Sequence, residues 1–363
     1  MSARRLPEGQ RVLAVSGMHR GESPQPGGAV AESLRRVWPQ LKVVGLCYDP
    51  MESGIYSGGL DRLDAAHLMP YPALGPEPLL GRLKQVIAEE GVNAIIPCLD
   101  SELVNYLDIE EDLANLGVRL LLPSRTSLRA MAKTHLRQFC QRIEVPTPRT
   151  VQAHDAATLA ARALEIGYPC YVKGRLYDAR AVHSAAELYA AFADIHRVWG
   201  GPVLAQEAVF GEEYDLTGLG DGKGGLVAFC AIRKMLRTKL GKGYAGLVVD
   251  NPEIEEFARR IIGALRWDGP FELEFIKAPG RPPVLMEMNP RFPAWIDFPA
   301  KIDCNLPAAF FERLCGGSGV ELKQCPPGKM FIRHCTDLVG DIADIARLTG
   351  EQFAEAAGTS EAA

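Results

Sequence analysis

No apolar run in the 363-residue chain approaches the ~18 to 20 residues that a membrane helix requires, so no membrane partner is expected. Behind the basic residues of Met1-Ser2-Ala3-Arg4-Arg5-Leu6-Pro7 there is no apolar segment, and a secretory leader is not expected either. Cys-x-x-Cys pairs are missing. The nine cysteines (Cys47, Cys98, Cys140, Cys170, Cys230, Cys304, Cys315, Cys325 and Cys335) are scattered, odd in number and mostly set among apolar neighbours. That pattern predicts buried free thiols in a reducing cytoplasm rather than a disulfide framework or a zinc site. The seven histidines include no His-x-x-x-His spacing. The Gly17 to Gly28 loop lacks Gly-x-Gly-x-x-Gly, which argues against a dinucleotide such as NAD. A basic excess is also missing, with 40 Lys and Arg against 45 Asp and Glu. The one dense basic stretch, Arg233 to Gly243, has no interleaved aromatics, so nucleic acid is not an expected partner.

The remaining composition is that of a folded protein, with 47% hydrophobic and 23% charged residues. At roughly 150 residues per domain the chain holds two or three units. Apolar strands at Arg11–Ser16, Leu41–Cys47, Asn93–Pro97 and Val118–Leu122 alternate with helices carrying Val30, Leu34 and Val37, and Leu79, Leu83 and Val86. This order predicts an α/β unit with a parallel sheet over 1–123. Beyond Pro123 the pattern changes to α+β. A helix is expected over Leu128–Ile143, another from Asp155 to Gly167, and strands over Tyr168–Lys173 and Val203–Glu207. A capping box opens a helix at Ser184. Two strands flank a glycine-rich turn at Gly220–Gly225, and Asn251-Pro252 starts a further helix. Strands over Phe271–Lys277 and Val284–Met288 follow. The expected units are 124–205, 206–335, and a C-terminal helix and frayed tail over 336–363.

The densest polar cluster is Phe271-Glu272-Leu273-Glu274-Phe275 with Met286-Glu287-Met288-Asn289-Pro290-Arg291. Side chains alternate along a strand, so Glu272 and Glu274 share a face, as do Glu287 and Asn289. If the two strands pair, Glu274, Glu287 and Asn289 converge as oxygen ligands for a hard divalent cation, Mg²⁺ or Mn²⁺. Arg291 follows, placed to neutralise a phosphate or carboxylate. Arg20 and Glu22 lie in the loop after the first strand, and Asp100 and Glu102 follow the third. These loops open at the carboxyl edge of the parallel sheet, where α/β folds take ligands. Arg20, Glu22, Asp100 and Glu102 are therefore substrate candidates, and their acidic edge suits a substrate with an amino group.

Glu274 with Glu287-Met288-Asn289-Pro290-Arg291 resembles the metal-binding signature of the ATP-grasp superfamily, nearest to the biotin carboxylase and carbamoyl phosphate synthetase large-subunit branch. Further matches fall in the same order. Lys133 precedes Val145-Pro146-Thr147-Pro148, like the first nucleotide lysine of that family. Tyr168-Pro169-Cys170-Tyr171-Val172-Lys173 resembles the strand with the second lysine. Gln206-Glu207-Ala208-Val209-Phe210-Gly211-Glu212-Glu213-Tyr214 resembles the hinge that clasps adenine and ribose. The resemblance covers roughly residues 10 to 315. It implies a pre-ATP-grasp, Rossmann-like α/β domain followed by a two-lobed α+β ATP-grasp fold, with ATP and Mg²⁺ as cofactors. Lys133 and Lys173 would then hold phosphates, Gln206 to Val209 would give hinge contacts with Glu207 at the adenine amino edge, and Glu213 would bind ribose. Arg233, flanked by Ala231-Ile232, and Arg291 would stabilise the transferred phosphoryl group, with Lys242 in a mobile Gly241-Lys242-Gly243 lid.

The implied reaction is ligation of a small-molecule or peptide carboxylate, with an amino acid or peptide as the first expectation, to an amine or related nucleophile through an acylphosphate, by a cytoplasmic enzyme with a homodimer or a carrier or peptide partner as its expected assembly. Two alternatives stand beside it: a bicarbonate-activating carboxylase or carbamoyl-phosphate-type enzyme, and a noncatalytic nucleotide-binding module. The second is suggested by a departure from the family pattern. The segment Gly174-Arg175-Leu176-Tyr177-Asp178-Ala179-Arg180 has a single glycine where the family carries a glycine-rich phosphate loop, so either Arg175 or Arg180 supplies charge or the loop is structural.

Overall fold

The structure, a computed structural model, describes residues 11–21, 23–174, 178–239, 241–317 and 321–350. The loop residue Arg175 and the candidate Glu22 lie outside these. The first unit contains β1 (Val12–Ser16), α1 (Gly27–Arg35), β2 (Lys42–Cys47), β3 (Ala65–Leu68), α2 (Pro76–Glu90), β4 (Ala94–Ile96), α3 (Leu103–Asp108) and α4 (Glu110–Asn115). Its four-stranded sheet has the order β3-β2-β1-β4 and is parallel throughout. The expected strand over 118–122 is reduced to one bridge between Ala94 and Arg119. The partly buried β3 takes the fourth place instead.

The single helix expected over Leu128–Ile143 is broken into α5 (Arg125–Met131) and α6 (Leu136–Arg142), with Lys133 in the turn between them. The segment Ala132 to His135 has neither Gly nor Pro to announce that break. Both helices pack, through Met131, Leu136, Phe139 and Cys140, into the core that contains Ile254, Phe257 and Phe271. Residues 125–145 therefore belong by packing to the large lobe, not to the small lobe that was expected to begin at 124.

The small lobe follows as β5 (Thr150–Ala153), α7 (Ala156–Ala163), β6 (Cys170–Lys173), β7 (Ala179–Val182), α8 (Ala185–Trp199) and β8 (Val203–Glu207). Its antiparallel sheet runs β5-β8-β6-β7. Asp155 and Ser184 cap α7 and α8, each accepting from the backbone N–H three residues on. Cys170, Val172 and Ala205 bury one sheet face against Leu159, Leu188 and Phe192 of the two helices. By strand alternation Tyr171, Lys173, Leu204 and Gln206 present the other face.

The large lobe contains β9 (Glu212–Asp221), β10 (Leu226–Arg237), β11 (Gly243–Val248), α9 (Pro252–Leu265), β12 (Asp268–Lys277), β13 (Val284–Asn289), α10 (Asp297–Lys301), α11 (Leu306–Leu314) and β14 (Met330–Ile332), followed by α12 (Ile342–Thr349). The six-stranded sheet runs β13-β12-β9-β10-β11-β14. Tyr214, Leu216, Leu273 and Phe275 face α9 together with α5 and α6. On the opposite side Leu219, Cys230, Ile232 and Val248 join one core with Leu13, Val30 and Trp38 of the first unit and Phe310 and Phe311 of α11. Eight cysteines are buried free thiols and Cys335 is exposed. Among the described residues no helix is long and apolar enough to cross a membrane.

Candidate functional site

Antiparallel pairing of β12 with β13 sets Glu272 opposite Asn289 and Glu274 opposite Glu287. The strand period turns all four side chains to one face. Pairing of β12 with β9 adds Asp215 opposite Glu274. Carboxylate oxygens of Asp215, Glu272 and Glu274 lie within 4.8 Å of one another. The Asn289 amide donates to Glu272 Oε2 and Glu274 Oε1, each at 3.0 Å, and the Trp295 indole donates to Glu272 Oε1 at 3.1 Å. So many buried acids require cations nearby. Lys234 supplies one. Its ammonium is 2.9 Å from Glu274, 3.0 Å from Asp215 and 3.8 Å from Glu213, with 3% of the side chain exposed. Lys133 supplies another, 3.0 Å from Glu287 Oε2.

The electrostatics divide this face. Burial pushes the Asp215 and Glu274 carboxyls upward, against the pull of Lys234. At Glu287 burial acts in the same sense, but Lys133 and Lys173 overcome it and hold the carboxyl down at about 2. Glu287 is thus a firm anion on the side where the small lobe approaches. The donor set of Glu274, Glu287, Asn289, Glu272 and Asp215 is entirely oxygen, which fits Mg²⁺.

The small lobe faces this platform with Lys173. Its ammonium donates to Gln206 Oε1 at 2.6 Å, and the Gln206 amide donates to Thr150 Oγ1 at 3.2 Å. Burial lowers the pKa of Lys173, while Glu287 works to restore it. Lys133, Lys173, Leu204, Gln206, Leu285 and Met286 line a cavity between the lobes, with apolar walls and cationic ends. The segment at Pro146–Pro148 is fixed beside it, since Leu285 N–H donates to Pro146 O at 2.8 Å. Leu204, Leu285 and Met286 escaped the sequence reading because an apolar strand residue carries no local signal for a ligand wall.

Several expected residues lie elsewhere. Glu207 alternates away from Gln206 and binds Arg149 at 3.0 Å on the outer side, so, contrary to expectation, it does not face the cavity lined by Lys173 and Gln206. Ala208 and Val209 are half-buried in the connection from β8 to β9. Glu213 does share the face of Asp215, where Arg237 engages it. Arg233 is opposite Tyr214 and bonds Glu212 at 2.7 Å, on the far side of the sheet from the acids. The inward cation is Lys234, one residue on. A one-residue error in a strand reverses the face.

At the other end of the platform Arg291 donates to Glu272 Oε2 at 3.0 Å and stands 3.4 Å from Asp100. Asp100 and Glu272 raise the pKa of the guanidinium despite burial, which would lower it. Glu102 is not a pocket residue. It is fully buried and accepts from Ser16, from the Tyr48 hydroxyl at 2.6 Å, and from the Cys98 and Leu99 N–H groups at 2.9 and 3.0 Å. Its carboxylate ties the ends of β1 and β4 together, which removes it from the substrate set. Arg20 pairs with Asp61, and with Glu32 at 3.6 Å. Lys242 does not stand in a free lid. It occupies the β10–β11 turn, and its ammonium reaches Pro24 O at 3.1 Å and Ser23 O at 3.4 Å. Arg333, just past β14, also borders this end and was missed, because a lone arginine after a three-residue strand carries no local signal.

No protein-family model matches the chain, and no curated protein matches it. Solved structures do. An L-amino acid ligase from Bacillus licheniformis aligns with a TM-score of 0.63 at 16% identity, covering 86% of this chain and 75% of its own. A biotin carboxylase–β,γ-ATP complex from Campylobacter jejuni gives 0.68 at 16% identity, over 88% and 74%. The biotin carboxylase domain dimer of the Hydrogenobacter thermophilus 2-oxoglutarate carboxylase, with MgADP and bicarbonate, gives 0.65 at 18% identity, over 87% and 72%. The fold is that of the ATP-grasp enzymes.

Proposed function

We propose that the chain is an ATP- and Mg²⁺-dependent ligase that activates a carboxylate as an acylphosphate and passes it to an amine or related nucleophile. The observation that carries this reading is the acid platform itself. Glu274 and Glu287 face each other across one strand pair, with Lys133 and Lys173 on one side and Arg291 on the other.

The adenine would occupy the apolar cavity walled by Leu204, Leu285 and Met286, with Gln206 at its polar edge. Lys133 and Lys173 would hold phosphate oxygens. Glu274, Glu287 and Asn289, with Glu272 and Asp215 in support, would hold Mg²⁺, which neutralises phosphate charge when bound. Lys234 keeps the excess of buried acid balanced. Arg291 would orient the substrate carboxylate, whose oxygen attacks the γ-phosphorus as the bond to ADP breaks. The amine then attacks the acyl carbon, loses a proton, and phosphate leaves. The first step needs no general base, since the carboxylate is already ionised. On this reading the first unit and the large lobe carry the substrate, and 150–207 closes over the nucleotide. The substrate is a small-molecule or peptide acid, and the enzyme acts in the cytoplasm.

The test is ADP release by the purified chain with Mg-ATP across a matrix of acids and amines, with mass spectrometry of the products. ADP should appear only with a divalent metal and together with a condensation product. Binding of an ATP analogue with no turnover by any pair, or turnover indifferent to metal, would overturn the proposal in favour of a binding module.

A further inference from the structure

Among the described residues, the end of the platform beyond Arg291 gathers more cationic side chains than it has carboxylates paired with them. Arg20, Lys242, Arg291 and Arg333 converge there: β14 pairs with β11 and sets Arg333 beside Tyr244, two residues from Lys242, where Arg291 and Arg333 disfavour the Lys242 charge and Arg20 that of Arg333, against the opposing pull of Glu272 on both and of Asp100 on Lys242. Two of the four are satisfied internally. Arg291 has Glu272 and Asp100, and Arg20 has Asp61 and Glu32. Glu272 is already shared by Arg291, Asn289 and Trp295.

Among the described residues neither Lys242 nor Arg333 has a carboxylate within 4.0 Å. Among these residues the Lys242 ammonium bonds to the main-chain oxygens of Ser23 and Pro24. No carboxylate lies within 4.0 Å of the Arg333 guanidinium among the described residues, and its Nε is shielded from solvent without a hydrogen-bond acceptor. Burial lowers the pKa of both groups, Arg333 to about 10. Holding two like charges in this state is unfavourable unless something anionic joins them.

Arg333 is also firmly placed. Its N–H donates to Tyr244 O at 2.9 Å, and Phe331, two residues before it, stacks on Trp295 with ring centroids 6.2 Å apart. Trp295 in turn holds Glu272, so the guanidinium is built on the same scaffold as the acid platform.

We propose that the acid substrate is a dianion, whose reacting carboxylate lies at Arg291 and whose second anionic group is held by Arg333 and Lys242. This rests on the ligase reading above and narrows its substrate class. It also replaces the acidic edge expected from sequence, since Glu102 is consumed inside the first unit and Asp100 is paired with Arg291.

Calorimetric titration of the full chain, with Mg²⁺ and a nonhydrolysable ATP analogue present, tests the inference. The probes are butyrate and valerate against succinate, glutarate and 3-phosphonopropionate. At least one dianion should bind about 10-fold or more tighter than the monoanion of matched length, the gain expected for a charge-assisted fork. The better of the carboxylate and phosphonate probes identifies the second group. Arg333→Gln should bring mono- and dianions to within about twofold of each other, and Arg333→Lys should restore part of the difference. Equal affinities in the unaltered chain, no binding of any dianion, or discrimination that survives Arg333→Gln in a variant with an unchanged melting temperature would overturn it. Affinity for the ATP analogue is read separately. If the analogue fails to bind, the ligase reading fails with this one; if it binds without discrimination, only the dianion does.

Discussion

The first unit and the small lobe both border the cleft, yet they are attached to the large lobe in different ways. The first unit shares a core with it: Trp38 packs edge-on to Phe311 at 5.3 Å, and Leu13, Val30 and Leu34 join Phe292, Ile296 and Phe310. Polar bonds reinforce this junction. Asp297 accepts from Arg36 Nε at 2.9 Å and Ser33 Oγ at 3.2 Å, and Asn305 donates to Ser33 O at 2.7 Å. The small lobe keeps its buried core to itself, all between Ala153 and Ala205. A shared core cannot shear without opening voids, whereas a separate core can turn as a body about its connections. The difference teaches which side of the cleft is fixed. Glu287, Lys133 and Arg291 stand on the frame, and Lys173 and Gln206 stand on the lobe whose core is separate from it.

Breaking the frame at its chemical centre should have the largest effect. Glu287→Gln is expected to reduce ADP formation to background, a loss on the order of 10³-fold, with the melting transition near that of the parent. Wild-type turnover, or a collapse of the fold, would remove Glu287 from the proposed role. Breaking the shared core comes next. Phe311→Ala should cost about 3 to 5 kcal/mol, and hydrogen exchange should show protection lost in both β1–β2 and β9–β10 while α7 and α8 keep theirs. Loss spread evenly over the small lobe would show that the three regions unfold as one. Lys173→Ala probes the separate lobe. Affinity for a nonhydrolysable ATP analogue should fall by about 1.5 to 3 kcal/mol with stability unchanged, and an unaltered calorimetric affinity would take Lys173 off the phosphates.

The smallest effect is in the pH dependence of the junction. Burial would raise the Asp297 carboxyl, but Arg36 and Lys301 lower it below its ordinary value of 3.8. A carboxyl depressed in the folded state adds stability above its unfolded pKa and loses it as pH falls through the folded one. Melting temperature should therefore decline with acid more steeply in the parent than in Asp297→Asn, with the two converging below the folded pKa. Parallel pH profiles would show that the ion pairs contribute nothing to the junction.

The sequence made the local parts of this arrangement legible. Glu274, Glu287 and Asn289 could be read together because strand alternation and one short turn relate them, and the pairing is as that pattern implies. Asp215 and Lys234 could not, because they reach the acids through pairings of β9 and β10 made across the sheet. Arg233 against Lys234, and Glu207 against Gln206, are single-register ambiguities. In both cases a flanking apolar residue did not say which neighbour turns inward. The first unit was legible from its buried strands, save for β3, whose half-buried residues carry little apolar signal. The small lobe was read less well. Its strands β5 and β7 are four residues each and largely uncovered, so neither run nor alternation marks them. Glu102 misled for a related reason: a carboxylate after a strand looks the same in sequence whether it meets solvent or four buried donors.

Lys234, seated between Asp215 and Glu274, has a consequence for how the acid cluster stands without a divalent ion. An acid cluster that relied on a divalent ion for neutrality would come apart under a chelator, as structural zinc domains do. Here an ammonium on the neighbouring strand is covalently part of the sheet and cannot be dialysed away. Lys133 does the same for Glu287. On the proposed ligase reading the metal would be a reagent that arrives with the nucleotide rather than a strut of the fold, and a chain stripped with EDTA should melt where the untreated chain melts.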